Sequence, residues 1–373
     1  MKKKIVLIPS YSFAIINLRL QLIKDLVSEG YEVTCMCPKD NHYEEVKRCL
    51  KQIKVNLVPY YIINTDLSLL KSLRTIWDIF RRLIEIRPSH IFFFNIKPIL
   101  LGWIYSAIWK KTKTYSMVTG LGHFFMDENI NKRSSRLVQT LYKIALKANK
   151  KVFFQNQDDM DLFFSKKLVS PKKTILINGS GVDIDYFNYC GPSLNPLRFT
   201  FIGRLIKQKG IIEFYQAAKA IKKKHPNVKF TIVGKLYPNP SMLSEKEFKQ
   251  ITEDPDIEYL GELKDVRKIL RKTSVFVLPS YREGTSRAIL EAMSMGLPII
   301  TTDAPGCRQL VRNGENGWVV KPKNINALVR CINEAINHTN LLEKIGQENR
   351  QKMVRSYCIN KVNNDIIYYL ERK

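Results

Sequence analysis

Residues 274–298 read SVFVLPSYREGTSRAILEAMSMGLP and place a strand, a turn and a helix in close succession. The first five residues form a short run of mostly β-branched and aromatic side chains, which predicts a buried strand. Apolar residues recur at helical spacing from about Thr285, and Gly296 followed by Pro298 marks the end of that pattern. We therefore predict a strand, a turn that carries Glu283, and a helix that carries Glu291.

The same alternation of short apolar runs and helical patterns extends over the whole chain. The strand candidates are KIVLI, EVTCMC, VNLVPY, HIFFF, TYSMV, KVFFQ and TILI in the first half, then RFTFIG, VKFTIV, IEYLG, SVFVL, PIITT and GWVV in the second. Such alternation predicts an α/β fold class with two doubly wound parallel sheets. Ligands of these sheets bind at the carboxyl ends of the strands, so we expect the turn at Glu283 to face a cleft between two domains.

A loop-rich stretch rich in glycine and proline, NGSGVDIDYFNYCGPSLNPLR, separates the two halves. We place an N-terminal domain over residues 1–187 and a C-terminal domain over residues 188–356. The remaining residues, 357–373, have a helical pattern, and we expect this helix to pack back towards the N-terminal domain.

The chain of 373 residues carries 61 Lys+Arg against 34 Asp+Glu, a formal net charge of +27. The excess is spread over both halves, because residues 1–183 contain 30 basic and 15 acidic side chains. The positive electrostatic field of such a chain favours an anionic partner: nucleic acid, an anionic membrane surface or a phosphorylated ligand. A lysine-rich genome would also produce it without any special partner. Hydrophobic and charged contents of 45% and 25% exclude global disorder.

Two segments imitate targeting or membrane signals. The opening MKKKIVLIPSYSFAIINLRL is interrupted by Pro9 and contains Arg19, so we interpret it as a first strand and helix. The stretch IFFFNIKPILLGWIYSAIW (91–109) has the length of a membrane span, but Lys97 and Pro98 in its first half favour a strand followed by a helix that Pro98 opens. The seven scattered cysteines fit reduced thiols. We expect a cytoplasmic protein that associates peripherally with the inner face of the cell membrane.

The turn at Glu283 has the features of a site for a ligand with both phosphate and hydroxyl groups. The first amides of the helix, at Gly284, Thr285 and Ser286, lack partners within the helix and favour negative charge. The carboxylates of Glu283 and Glu291 accept hydrogen bonds from hydroxyls. Phosphate between two hydroxyl-bearing ends is the shape of a nucleotide sugar.

Cations for a diphosphate follow the first strand of the second half, in FTFIGRLIKQKG. Arg204 lies just past the end of that strand, after Gly203, and Lys209 lies just before a helix. A planar guanidinium and an ammonium at one strand end suit two phosphates. We expect the loop at Gly234 and the turn at Leu263 to line the nucleobase.

GRLIKQKG together with EGTSRAILE resembles the paired signature of the retaining family-4 glycosyltransferases, which have the GT-B fold. VTGLGHFF and VFFQNQDD resemble the branch of that family that assembles capsule, O-antigen and related lipid-linked glycans, and INGSGVDIDYF is similar to its interdomain stretch. The resemblance covers nearly the whole chain and implies two Rossmann-like domains facing each other across a cleft. The first strand is followed by PSYSFAIINLR, without the two glycines that many members have there.

The resemblance also implies roles for individual residues. Arg204 and Lys209 hold the donor diphosphate and, with Glu283 and His123, form the catalytic set. Glu283 orients the donor sugar and Glu291 the ribose. On the acceptor side, the pattern points to Arg19, Gly122 and His123.

The function that the resemblance implies is transfer of a hexose or N-acetylhexosamine, with retention of configuration, from a UDP-sugar to a hydroxyl of a lipid-linked glycan. The expected partners are the nucleotide-sugar donor, the lipid-linked acceptor and an anionic membrane surface, and no nucleic acid. We expect no cofactor and no metal, because Asp254–Asp256 (DPD) and Asp183–Asp185 (DID) fall in turns and no cluster has ligand spacing. Two alternatives stay open: a nucleotide-sugar epimerase on the same architecture, and a basic nucleic-acid-binding protein.

Overall fold

The computed structural model describes residues 3–63, 69–121, 132–237 and 241–372. The chain divides into two compact units: Met1–Ser180 with Asn363–Lys373, and Gly181–Val362. The sequence pattern places the boundary later, after residue 187. Residues 181–187 belong with the second unit because the Val182 amide donates to the Tyr357 carbonyl (2.8 Å) and Phe187 packs into that unit's core.

The first unit contains a fully parallel sheet. Its described strands are β1 Lys4–Ile8, β2 Glu32–Cys37, β3 Asn56–Pro59, β4 His90–Phe94, β5 Lys113–Val118, β6 Lys151–Phe154 and β7 Thr174–Leu176. They lie in the order β3-β2-β1-β4-β5-β6-β7, so the direction of winding reverses between β1 and β4. This reversal is the switch point of a doubly wound sheet, where ligands bind beyond the strand ends.

The helices of this unit connect successive parallel strands. They are α1 Leu20–Ser28, α2 Tyr43–Gln52, α3 Leu69–Ile86, α4 Ile96–Ile108, α5 Lys132–Lys147 and α6 Gln157–Ser165, and one wide helical turn, Ile15–Arg19, precedes α1. Helices α3 to α6 cover one face of the sheet. Their buried residues, such as Leu83, Leu100 and Tyr142, pack on Val6 and Phe93 in a single core cluster.

The apolar stretch 91–109 forms strand β4 and helix α4, as the sequence predicts. The helix begins at Ile96, before Pro98, with Asn95 as its N-cap at φ 68°. Pro98 is tolerated there because the first helical amides have no partner within the helix. No helix among the described residues is both long and apolar enough to cross a membrane.

The second unit repeats the design with six described strands. These are β8 Arg198–Ile202, β9 Lys229–Val233, β10 Ile257–Tyr259, β11 Val275–Leu278, β12 Ile299–Thr302 and β13 Gly317–Val320, in the order β10-β9-β8-β11-β12-β13. The helices are α7 Ile211–Lys222, α8 Glu245–Thr252, α9 Arg267–Leu270, α10 Arg287–Ser294, α11 Ile325–Asn337 and α12 Thr339–Lys352. Strands β8 and β11 are neighbours at the switch point, so the loops that follow them lie side by side.

The chain ends with α13, Ile359–Glu371, whose residues from Asn363 onward belong to the first unit. Asn363 donates from Nδ2 to Asp25 (2.7 Å), and the Tyr115 hydroxyl donates to the Leu370 carbonyl (3.1 Å). The last helix is therefore built into the first unit by buried and half-buried hydrogen bonds. Both sheets are parallel and doubly wound, which makes the fold α/β as predicted.

Candidate functional site

The candidate site lies in the second unit, where the loops after β8 and β11 run side by side. We call residues 203–210 the β8 loop and residues 279–286 the β11 loop. Gly210 ends the β8 loop in a left-handed conformation (φ 74°), and a Cβ there would lie 2.1 Å from the Pro279 carbonyl oxygen. Only glycine fits both that conformation and that contact, so Gly210 lets the two loops approach closely.

Hydrogen bonds fasten the β11 loop to the β8 side. The Gln208 carbonyl accepts from the Tyr281 amide (2.9 Å) and from the Ser280 hydroxyl (3.1 Å). The Tyr281 hydroxyl donates to Oε1 of Glu213 in the first turn of α7 (2.5 Å). Burial and this bond to a carboxylate raise the pKa of Tyr281, which keeps the hydroxyl protonated as a donor.

The central feature of the site is an ion pair between Lys209 and Glu283, one from each loop. Their side chains are only 16% and 12% exposed. A charge so far removed from water is stable only beside a partner of opposite sign, so the two loops hold a cation and a carboxylate in fixed positions. Both residues were predicted to belong to the site, but their contact with each other was not predicted.

A turn after β12 supports Glu283 from behind. The Glu283 amide donates to the Pro305 carbonyl (2.9 Å), and the Ser286 amide donates to the Gly306 carbonyl (3.3 Å). Helix α10 begins at Arg287, with Ser286 as its N-cap, rather than near Thr285 as predicted. The Glu283 and Ser286 amides are therefore bonded to the turn at Pro305 in this structure, and the role of Ser286 in donor binding stays a prediction.

Glu291 lies on the second turn of α10 and is 14% exposed. Arg287, one turn earlier, donates from Nε to its Oε1 (2.7 Å). Burial raises the pKa of Glu291, and the charge of Arg287 and its hydrogen bond oppose that shift. The two carboxylates of the helix corner thus have different cationic partners, Lys209 for Glu283 and Arg287 for Glu291.

Arg204 is exposed, with its guanidinium 4.9 Å from the centre of the Tyr237 ring. This geometry leaves a planar cation at the end of β8, where the sequence places it. Gly203 and Gly234 pack backbone to backbone, because a Cβ on Gly234 (φ 147°) would lie 1.9 Å from the Gly203 carbonyl oxygen. Leu263 is half-buried in the turn that begins at Gly261, whose carbonyl accepts from the Gly234 amide (2.8 Å).

The residues assigned to the acceptor side belong to the first unit. Arg19 is buried, with its guanidinium 4.6 Å from the centre of the Phe94 ring and Nη2 3.0 Å from Sδ of Met117. It therefore lies at the carboxyl ends of β4 and β5. Gly122 and His123 lie outside the described residues, and their roles stay predictions.

The two acidic motifs have structural partners. Lys219 binds Asp254 (3.1 Å) and Asp256 (2.6 Å), and the Tyr215 hydroxyl donates to Asp254 (2.7 Å). Asp183 accepts from the amides of its own turn, at Asp185 and Tyr186. Within the described residues, no three His, Cys, Asp or Glu side chains converge in a way that could hold a metal ion.

Tyr281, Glu213 and the Pro305–Gly306 turn were not predicted from the sequence. Glu213 has the pattern of an ordinary acidic residue in a first helical turn, and its partner depends on β8 lying beside β11. A Pro-Gly pair that begins three residues after the end of the strand at residues 299–302 was the available signal for a turn beside the site.

Comparison with known proteins agrees with this architecture. The model of the family "Glycosyl transferase 4-like" matches residues 4–156, and that of "Glycosyl transferases group 1" matches residues 191–352, so together they span most of the chain. The crystal structure of Alr3699/HepE from Anabaena, in complex with UDP and glucose, superimposes on this chain with a TM-score of 0.78. The two are 18% identical in sequence, and the match covers 99% of each chain.

Two relatives match most of their length. The N,N'-diacetylbacillosaminyl-diphospho-undecaprenol alpha-1,3-N-acetylgalactosaminyltransferase of Campylobacter jejuni is 26% identical over 86% of this chain and 85% of its own. The UDP-Gal:alpha-D-GlcNAc-diphosphoundecaprenol alpha-1,3-galactosyltransferase of Escherichia coli is 26% identical over 87% of this chain and 90% of its own. The first unit matches the "Glycosyl transferase 4-like" model and the second unit matches the "Glycosyl transferases group 1" model. Because both models match and both units are doubly wound, the chain belongs to the glycosyltransferases of the GT-B fold.

Proposed function

We propose that this glycosyltransferase moves a hexose or N-acetylhexosamine from a UDP-sugar to a hydroxyl of a lipid-linked glycan in surface polysaccharide assembly. The Campylobacter and Escherichia relatives are named for sugar transfer to diphospho-undecaprenol-linked sugars, and the second name specifies UDP-galactose as the donor. These names support the acceptor class and the nucleotide. Neither of those relatives is an epimerase or a nucleic-acid-binding protein.

The observation that carries the proposal is the nearly buried Lys209–Glu283 pair at the ends of two adjacent parallel strands. A diphosphate oxygen is a stronger competitor for an ammonium than a hydroxyl is, and a sugar hydroxyl is a good donor to a carboxylate. A nucleotide sugar would place its phosphate against Lys209 and a sugar hydroxyl against Glu283. Both charges of the pair then have partners in the bound state.

In the proposed reaction, the bond between the sugar and the diphosphate breaks and leaves an oxocarbenium-like carbon. Lys209 and Arg204 stabilise the charge that develops on the departing diphosphate, without a metal ion. The acceptor hydroxyl attacks from the side of the leaving group and gives its proton to a phosphate oxygen, which retains the configuration. Glu291, held by Arg287, binds the ribose hydroxyls.

The full chain should be tested with UDP-glucose, UDP-galactose, UDP-N-acetylglucosamine and UDP-N-acetylgalactosamine, each with a lipid-diphosphate-linked sugar as acceptor and with EDTA present. UDP release that depends on the acceptor, with an α-linked product by NMR, is the expected result. Epimerised donor without any transfer would overturn the proposal. A β-linked product would contradict retention, and activity that EDTA abolishes and Mg²⁺ or Mn²⁺ restores would contradict metal independence.

A further inference from the structure

Helix α3 presents an apolar stripe on the side that faces away from the core. Leu70, Leu73 and Trp77 are 79%, 60% and 65% exposed. At about 100° per residue they fall within roughly 60° of one another around the helix axis. The buried residues Ile79 and Leu83 lie about 150° and about 110° from the middle of that stripe, so α3 is apolar on two sides. A helix packed on a sheet in water is expected to be polar on its outer side.

The stripe continues onto the end of α4 through direct aromatic contacts. The Phe80 ring lies 6.4 Å from that of Trp77 and 5.7 Å from that of Trp109, centre to centre. Trp109 is 40% exposed, and Ile108 beside it is 58% exposed. We call Leu70, Leu73, Trp77, Ile108 and Trp109 the α3–α4 apolar face. Exposed clusters of this kind mark interaction sites, whereas single exposed apolar residues do not.

The charges around this face are positive. The segment from α4 to the first residue of β5 contains Lys97, Lys110, Lys111 and Lys113 and no acidic residue. Helix α5, which packs against α4, is also without Asp or Glu. On α3 the acidic residues Asp78 and Glu85 are bound by Arg81 and Arg82 at 3.6–4.0 Å. The net charge next to the apolar face is therefore positive, which complements an anionic surface.

Resting on the proposed function, we propose that the α3–α4 apolar face docks the enzyme on an anionic lipid bilayer without spanning it. Tryptophan side chains favour the boundary between headgroups and acyl chains, and basic residues beside an apolar stripe are attracted to anionic headgroups. In a doubly wound sheet, the amino ends of the crossover helices lie at the carboxyl edge of the strands, where ligands bind. Leu70 and Leu73 lie near the start of α3, at that edge, and Ile108 and Trp109 lie at the end of α4, towards the opposite edge. Docking through this face therefore lays the side of the unit against the bilayer, with the ligand-binding edge next to an acceptor whose lipid lies there.

The direct test is co-sedimentation of the full chain with vesicles of phosphatidylcholine alone and of phosphatidylcholine with phosphatidylglycerol. The double variant Leu73→Glu/Trp77→Glu changes only exposed positions, and Leu341→Glu, at a site 45% exposed on α12, is the matched control. We expect binding to anionic vesicles that falls at least tenfold in the double variant and stays unchanged in the control. Equal binding by the double variant would overturn the proposal. Failure to bind any vesicle, with a wild-type dimer that the double variant disrupts, would assign the face to a second copy of the chain.

Activity separates this inference from the proposed function. The double variant should transfer sugar to a short-chain, water-soluble analogue of the acceptor at the wild-type rate, and at least tenfold more slowly to the acceptor embedded in vesicles. Wild-type rates on both acceptors would contradict membrane docking while leaving the transferase activity intact. If the wild-type chain uses neither acceptor, the proposed function itself fails.

Discussion

At the scale of single residues, Lys209 and Glu283 form an ion pair in the second unit, and each charge neutralises the other. In the proposed reaction, replacement of Lys209 by alanine removes a charge-assisted hydrogen bond to the departing diphosphate. We expect a loss of about 2 kcal/mol of transition-state stabilisation, or about 30-fold in kcat/KM. The measurement is steady-state kinetics with a saturating acceptor.

Two further variants make that result specific. Lys207→Ala removes an exposed lysine two positions away, whose partner is Glu247 (2.6 Å), and should keep wild-type kinetics. Lys209→Ala/Glu283→Gln removes both charges and leaves no uncompensated carboxylate, so it should fold but stay slow. A double variant as active as the wild type would exclude the pair from the mechanism.

Tyr281 is the second residue with a testable role, because its hydroxyl connects the β11 loop to Glu213. Tyr281→Phe leaves the buried Glu213 carboxylate without that donor, which should cost about 1–3 kcal/mol of unfolding free energy. Tyr215→Phe is a matched control, since the Tyr215 hydroxyl also donates to a carboxylate, that of Asp254. Thermal unfolding should show a similar loss for both variants, whereas only Tyr281→Phe should raise KM for the donor. Equal donor kinetics in the two variants would show that the contact serves stability alone.

The residue types at the site were predictable, but their pairings were not. Lys209 and Glu283 stand out from local signals, a cation before a helix and a carboxylate before another helix. Their contact depends on β8 and β11 being neighbours in the sheet, which no local pattern specifies. The Arg287–Glu291 pair is the exception, because residues four apart on one helix lie on the same face and can form an ion pair without any help from the sheet.

At the scale of elements, the turn at Pro305–Gly306 determines where the β11 loop lies. Gly306 has φ 79°, and a Cβ there would lie 2.3 Å from the Glu283 carbonyl oxygen. Gly306→Ala should therefore displace the β11 loop and reduce kcat/KM at least tenfold. Gly314→Ala is the matched control, because Gly314 has the same φ of 79° with nothing within 4 Å of the added Cβ.

Both alanine variants force the same left-handed conformation, which costs about 1–2 kcal/mol. Their unfolding temperatures should fall for that reason, the Gly306 variant by more. Enzyme kinetics distinguish them: the Gly314 variant should keep the wild-type kcat/KM. Full activity in the Gly306 variant would mean that the β11 loop position does not matter for the reaction.

Element types were predictable because the strands are short, apolar and separated by strongly periodic helices. The residues at which the elements begin and end were less predictable. Helix α10 begins later than its apolar pattern suggests, because the amides before it bond to the turn at Pro305. Helix α4 begins before Pro98 because a proline costs nothing where the helical amides have no partner. Tertiary hydrogen bonds and steric permissiveness decided both boundaries.

At the scale of the whole molecule, His90 links the first unit's stability to pH. The ring is buried in β4, and burial, followed by the charge of Lys113, lowers its pKa to about 4. In the unfolded chain His90 therefore binds a proton below about pH 6.5, whereas in the folded chain it stays neutral down to about pH 4. As the pH is lowered from about 6.5 to about 4, the unfolding free energy should fall by up to about 3 kcal/mol.

His90→Gln tests this prediction, because glutamine does not titrate in that range. Urea unfolding of the first unit, followed by hydrogen exchange of the β4 amides, should show a steep acid limb in the wild type and a flatter one in the variant. The same slope in both would assign the acid sensitivity to other groups.

The division into two units was predictable from two runs of strand–helix alternation. The boundary between them was not, because residues 181–187 join the second unit through a β-bridge to residues 357–359, which are far away in the sequence. Which side of α3 faces water was not predictable from the sequence either. Its segment has apolar residues on two sides, and only the packing of Ile79 and Leu83 shows which side is left in water.

The proposed function requires that the β8 and β11 loops of the second unit bind the diphosphate of a UDP-sugar. Calorimetric titration of UDP into the full chain at physiological salt tests this claim directly. We predict saturable binding with one site, at least tenfold weaker in Lys209→Ala and unchanged in Lys207→Ala, with UMP binding weakly because it lacks the second phosphate. UDP binding that is undetectable, or that is equal in the wild type and the Lys209 variant, would contradict the account.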